Sequence, residues 1–209
     1  MWPTNVDGAA VVAAAAREAG ARLMHMSSDI VFSGRLGRPL REDDRIDPVS
    51  EYGRAKAEAE ARVRSAHPDA LIVRTSLLYG GEQLGPHELL AMEAARGERE
   101  VRFFTDELRS PVAVTDLAAA LLELASSDVG GPLHVAGADP VDRLEFGQLI
   151  ARAHGLDPAV LRGGKGDASR PKDCRLDSSR AAALLRTRLR GVREVLGRCG
   201  SCSRREMHA

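Results

Sequence analysis

Apolar residues recur with two different periods along this chain. Over residues 5–20 they share one face of a helix, with Val6, Ala9, Ala10, Ala13, Ala14 and Ala16 in helical spacing and Gly20 as a stop. Residues 22–26 and 70–74 are instead short apolar runs without turn residues, as in strands buried on both faces. Residues 33–47 are rich in Gly, Pro and charge and read as a loop. Asp47-Pro48 then predicts a helix start, with Pro at the first helical position, for a helix reaching about Ala66. Helix, strand, helix, strand with short connections predicts an α/β protein with a doubly wound parallel sheet. In such sheets ligands sit beyond the carboxyl ends of the strands.

From Gly80 the rhythm changes. The pattern predicts helices over 88–96, 117–126 (capped by Thr115 and Asp116) and 143–154, and one or two more over 178–196. Residues 100–104, 111–114 and 132–136 read as extended, and 163–172 as a polar loop. No internal repeat is present. The division this predicts is a first unit over 1–80 and a smaller α/β lobe over 81–209, with some segments returning to the first sheet.

Composition narrows the field. Thirty basic and thirty acidic side chains cancel, so no basic surface argues for nucleic acid or anionic lipid. No apolar run approaches the ~20 residues of a membrane span, and the N-terminus has no signal-peptide layout. Cys174, Cys199 and Cys202 are too few for a disulfide framework, and the Cys199–Cys202 spacing has no second ligand pair for zinc. The six histidines show no metal-ligand spacing either, and His25 and His134 fall within strands as packed side chains. A cytoplasmic setting follows, without nucleic-acid or membrane partners and without a metal.

The chemistry concentrates at Ser28 and at Tyr52 with Lys56. A Tyr and a Lys four apart on a helix lie on one face, one turn from each other. The ammonium then lowers the phenol's pKa from about 10 and makes it a usable acid. Ser28, at the end of the preceding strand, offers a hydroxyl to the same substrate oxygen. These are the parts of reversible hydride chemistry at a carbonyl. Taken alone, Tyr52 and Lys56 are more often an ordinary amphipathic pair than a catalytic one, and Ser27 and Ser28 more often turn residues than catalysts. The loop Gly163-Gly-Lys-Gly lacks the spacing of a phosphate loop.

In register, these residues resemble a known family. Asn5-Val-Asp-Gly, His25-Met-Ser-Ser-Asp-Ile-Val-Phe, Tyr52-Gly-x-x-Lys56 and Arg74-Thr-Ser-Leu-Leu-Tyr79 are similar to the extended short-chain dehydrogenase/reductase superfamily, and within it to the dTDP-4-dehydrorhamnose reductase group. Thr105-Asp-Glu with Pro111-Val, Arg170-Pro-Lys-Asp and Leu176-Asp-Ser-Ser-Arg agree with it. The resemblance implies the C-terminal part of a Rossmann-type dinucleotide-binding domain over 1–80 and a sugar-nucleotide lobe over 81–209. It also implies NADPH or NADH as cofactor and a nucleotide-linked 4-keto sugar as substrate, and leaves a homodimer open. By resemblance, Tyr52 donates the proton to the C4 oxygen and Ser28 hydrogen-bonds it. Lys56 holds the nicotinamide ribose, Asp29 lies beside the sugar and Asn5 near the cofactor. Leu77 stands where the reductases often carry a Trp that stacks on the sugar.

The family opens with a strand, a Gly-rich turn and a helix that binds the cofactor pyrophosphate. This sequence aligns after that point, so the resemblance predicts that two β–α units, roughly 60–80 residues, lie outside it. It further predicts an apolar strand edge near Leu23 with unpaired backbone groups. A non-catalytic sugar-nucleotide-binding or regulatory role is the alternative, since the regulatory subunit of methionine adenosyltransferase resembles the same reductases. An epimerase or dehydratase ranks third, because Ser27-Ser28-Asp29 offers one carboxylate where dehydratases usually add an acid pair.

Overall fold

The computed structural model of the chain describes residues 2–202, with side chains as far as 197. After a π-helical turn at Pro3–Asp7, helix α1 (Gly8–Glu18) leads to strand β1 (Met24–Ser28). Helix α2 (Glu51–Ala66) and strand β2 (Leu71–Thr75) follow. Strand β3 (Leu78–Tyr79), helix α3 (Pro86–Ala95) and strands β4 (Arg102–Phe104), β5 (Leu108–Arg109) and β6 (Val112–Ala113) come next. Helix α4 (Val114–Ala125) precedes β7 (Gly131–His134), β8 (Val141–Asp142), α5 (Arg143–Ala153) and β9 (Arg162–Gly164). Helices α6 (Ser179–Leu184) and α7 (Val192–Cys202) end the chain. Cys199 and Cys202 have side chains outside the described residues.

The fold is α/β, built on a parallel sheet in the order β1-β2-β7. Met24 pairs with Leu71 and Ser28 with Thr75, while Leu71 pairs with Gly131 on the other side. β2 is central and buried along its whole length, which explains why it reads as a continuous apolar run. Its side chains alternate between faces. Ile72 packs with Ala13 of α1 and Val63 of α2, and Leu71 and Val73 with Leu117, Ala120 and Leu124 of α4. Each fully buried Leu, Ile or Val contributes about 1.5–3 kcal/mol, so this three-residue run anchors both helical layers. β1 has a strand partner on one side only among the described residues. A second core gathers Tyr79, Met92, Phe103, Phe146, Ile150 and Val192 from α3, α5, α7 and the short strands.

Helix starts differ from the sequence expectation. α2 begins at Glu51, not at Pro48, because Ser50 takes the N-cap and its Oγ accepts from Gly53 N at 3.0 Å. Asp47 serves the loop instead, accepting from Ser33 N at 2.8 Å and Ser33 Oγ at 2.5 Å. Thr115 and Asp116 fall inside the first turn of α4, whose N-cap is Ala113. Asp116 there accepts from Arg190 Nη2 at 2.6 Å. The expected 163–172 loop begins with β9, which pairs in parallel with β4. No described helix is long and apolar enough to cross a membrane.

Candidate active site

Ser28 ends β1, and the chain turns at once into a 3-10 turn, Asp29–Val31. Ser28 Oγ accepts from Ile30 N at 3.5 Å and donates to Asp29 Oδ1 at 3.0 Å. The hydroxyl is thus both a turn cap and a group at the strand end. Asp29 Oδ2 accepts from Ser76 Oγ, just past β2, at 2.7 Å and lies 3.7 Å from Arg109 Nε. Burial raises the Asp29 carboxyl above its usual range, against the pull of Arg109 and the two serine hydroxyls. With its side chain 3% exposed, Asp29 ties the ends of two strands together.

Helix α2 comes close to this turn because residue 53 is glycine. A Cβ there would lie 2.3 Å from the Ile30 carbonyl oxygen. The approach sets Tyr52 beside the strand end, 43% exposed, with no hydrogen-bond partner for its hydroxyl among the described residues. One turn on, Lys56 Nζ donates to the Met26 carbonyl oxygen at 2.6 Å. Burial pushes its ammonium below the usual lysine value, opposed by Glu60. No hydrogen bond joins Tyr52 to Lys56 among the described residues.

Beneath them lies a buried polar anchor. Arg74 Nε and Nη2 reach the Glu60 carboxylate at 3.0 and 2.8 Å, and Ser27 Oγ donates to the same carboxylate at 2.5 Å. Arg74 Nη1 donates to the Glu42 carbonyl, and its guanidinium sits 5.1 Å from the Phe32 ring centroid. The anchor ties α2 to β1 and β2 directly below the Tyr52 turn.

Ser28 and Tyr52 line one cleft of about 950 Å³, together with Asp29 and Leu77. It is also lined by Arg54, Arg109, Arg143 and Arg170, with His87 and Glu107. Lys56 and Asn5 do not line it; Asn5 lies half-buried in the Pro3–Asp7 turn. Leu77 is half-buried against the second core. Glu107, but not Asp106, lines the cleft; Asp106 pairs with Lys172 at 2.8 Å. His134 is packed within β7, as expected, while His25 in β1 is half-buried. The sequence reading missed Arg109, Arg143 and His87. Only the Arg170 segment carried a signal, through its motif. A second cavity of about 670 Å³, between Ala136–Ala138 and Arg175–Leu189, contains neither Ser28 nor Tyr52.

A sequence model of the RmlD substrate binding domain matches residues 3–203. The chain belongs to this family. Among RmlD-type relatives, the dTDP-4-dehydrorhamnose reductase of Mycolicibacterium smegmatis is 34% identical over 200 residues, covering 92% of this chain and 61% of that protein. Methionine adenosyltransferase 2 subunit beta of Bos taurus is 31% identical over 208 residues, covering 92% of this chain and 62% of that one. The crystal structure of dTDP-4-dehydrorhamnose reductase from Bacillus anthracis in complex with NADP superposes with a TM-score of 0.81 at 27% identity, covering 93% of this chain and 70% of the other. The chain therefore spans somewhat over half the length of the curated RmlD-type relatives it matches.

Proposed function

We propose that the chain carries the proton-donating half of a reductase that converts the 4-keto group of a nucleotide-linked deoxysugar to an alcohol with NADPH or NADH. The observation that carries this reading is that Ser28 and Tyr52 line one cleft at the strand ends. The Tyr52 hydroxyl has no partner among the described residues, so it can donate its proton to the sugar oxygen. Ser28 Oγ hydrogen-bonds the same oxygen and fixes its direction. The residues present fit the reacting end of a nicotinamide cofactor: Lys56 spends one N–H on Met26 and keeps two for the ribose hydroxyls. A bound reduced nicotinamide supplies the hydride. Asn5 is assigned a place near the cofactor, Asp29 and Leu77 places near the sugar, and residues 81–209 the larger share of the sugar-nucleotide lobe. Similarity to reductases of dTDP-linked sugars, one of them solved with NADP, supports the reading. A cytoplasmic setting goes with it.

The test is titration of the purified chain with NADPH and NADH by nicotinamide fluorescence, followed by cofactor oxidation with a dTDP-4-keto-6-deoxysugar. Binding and oxidation are expected, with oxidation lost and cofactor binding kept in Tyr52→Phe. A folded chain that binds dTDP-sugar and oxidises neither cofactor would instead support the second reading, a sugar-nucleotide-binding subunit without turnover. The similarity to a methionine adenosyltransferase subunit favours that alternative.

A further inference from the structure

Ser28 has one hydroxyl hydrogen, and two groups compete for it. A keto oxygen only accepts, so a Ser28 that binds one must point its hydrogen into the cleft. The Asp29 carboxyl lies 3.0 Å from the same Oγ. As a carboxylate it also only accepts, and it then holds the Ser28 hydrogen for itself. Ser28 is left with lone pairs toward the cleft, which oppose a keto oxygen and oppose the alkoxide formed from it more strongly. A neutral carboxylic acid reverses the bond. Its O–H donates to Ser28 Oγ, which also accepts from Ile30 N at 3.5 Å, and the Ser28 hydrogen is free to turn to the substrate. The other carboxyl oxygen accepts from Ser76 Oγ at 2.7 Å in either state.

The surroundings favour the acid. The Asp29 side chain is 3% exposed, and its ion-pair partner, Arg109 on β5, stands 3.7 Å away, beyond hydrogen-bond reach. Arg109 spends its N–H groups elsewhere. Nη1 donates to the carbonyls of Leu108 and Lys172 at 2.8 and 2.6 Å, and Nη2 to that of Pro171 at 2.9 Å. Its charge is shared with Glu107, 3.6 Å from Nη2. Three further titratable groups surround the carboxyl. Arg143 at the start of α5 is itself held down to about 10 by burial. Cys174, its thiol pushed up to about 12 by burial, stays uncharged. Tyr52 on α2 lines the same cleft. Burial of Asp29 outweighs Arg109 and the serine hydroxyls and raises its carboxyl, toward the neutral form.

We propose that Asp29 is a positioning residue that works as a neutral acid: it donates to Ser28 Oγ and so turns the Ser28 hydrogen toward the keto oxygen of the substrate. The proposal rests on the reductase reading for that keto group. No proton leaves Asp29 during the reaction, since Tyr52 alone gives one up. The acid keeps a neutral neighbour beside Ser28 while negative charge grows on the substrate oxygen, where a carboxylate would repel it. The Ser76 bond holds the carboxyl in place from the end of β2, so the acid is oriented before substrate arrives.

Infrared difference spectra of the 209-residue chain, parent against Asp29→Asn at neutral pH, test this without any turnover. The C=O stretch of a protonated carboxylic acid is expected in the difference, fading as pH rises. Kinetics give the second arm. Asp29→Ala should lower kcat for cofactor oxidation by about tenfold or more, the loss of a hydrogen bond that supports a developing charge, with KM little changed. Asp29→Asn should recover most of that loss, because its amide N–H also donates to Ser28 Oγ. Its kcat should lack the fall that the parent shows as Asp29 ionises with rising pH. A missing acid band would overturn the proposal, as would Asp29→Asn and the parent sharing one pH profile. A loss confined to KM would overturn it too, since Asp29 would then act as a sugar ligand. The acid band without oxidation of NADPH or NADH sinks the reductase reading and leaves the neutral carboxyl beside Ser28 standing. Oxidation without the band does the reverse.

Discussion

Lys56 Nζ and the Met26 carbonyl oxygen are 2.6 Å apart, which ties α2 to β1. The bond has a structural and a chemical side. A hydrogen bond from a charged donor is worth about 1.5–3 kcal/mol, and desolvating the ammonium offsets part of it. Lys56→Met is therefore expected to change stability by no more than about 1 kcal/mol while abolishing cofactor oxidation. Tyr52→Phe should leave stability within about 0.5 kcal/mol, because its hydroxyl has no partner among the described residues. Urea denaturation with matched activity assays reads both. A loss of several kcal/mol in Lys56→Met would show that the residue is chiefly a strut.

Gly53 decides whether Tyr52 reaches the strand end at all. By helix propensity alone, Gly53→Ala should stabilise α2 by about 1 kcal/mol. The added Cβ would meet the Ile30 backbone oxygen at 2.3 Å, and a backbone neighbour cannot swing away as a side chain can. The contact is expected to win, with a net loss of about 1–3 kcal/mol and displacement of Tyr52 from Ser28. A Gly53→Ala chain as stable as the parent and equally active would refute this.

Much of this was legible in the chain, for identifiable reasons. The run at 71–75 could be read because a strand covered on both faces needs apolar residues at every position, and burial along β2 is complete. Ser28 and Tyr52 could be placed because strand ends and helix turns follow local rules. The start of α2 was misread because Asp47-Pro48 and Ser50 are both good starts, and only the Ser33–Asp47 contact shows that Asp47 is taken. The pairing of His87 with Arg143 was invisible. It joins residues 56 apart in sequence, and neither position has a local pattern that requires the other.

Glu60 and Arg74 hold the floor of the site, each side chain 2% exposed. Removing one partner strands the other charge in a dry place. Glu60→Leu or Arg74→Met is expected to cost about 3–5 kcal/mol, while the double variant should cost clearly less than the sum. Ser27, which also donates to Glu60, makes Glu60→Leu the worse of the two, because its hydroxyl is orphaned as well. Single variants losing under about 1 kcal/mol in urea melts would mean that the pair contributes little.

His87 should leave a signature in the acid range. Burial, then Arg143 and Arg109, hold its imidazole down to about 4 from the usual 6.5. Between those values the unfolded chain takes up a proton that the folded chain refuses, so folding stability falls as pH drops from 6.5 toward 4. Above 6.5 both states are neutral and the effect is absent. His25 and His134 are also held down by burial, and Asp44, at about 2, acts only below the ordinary carboxylate range. The His87 share is therefore read as a difference. His87→Gln should lose less stability than the parent on passing from pH 7 to pH 4.5, with the two curves parallel above pH 7. Thermal melts across that range measure it. Parallel curves throughout would mean that His87 titrates normally and that the Arg143 contact does not hold it neutral.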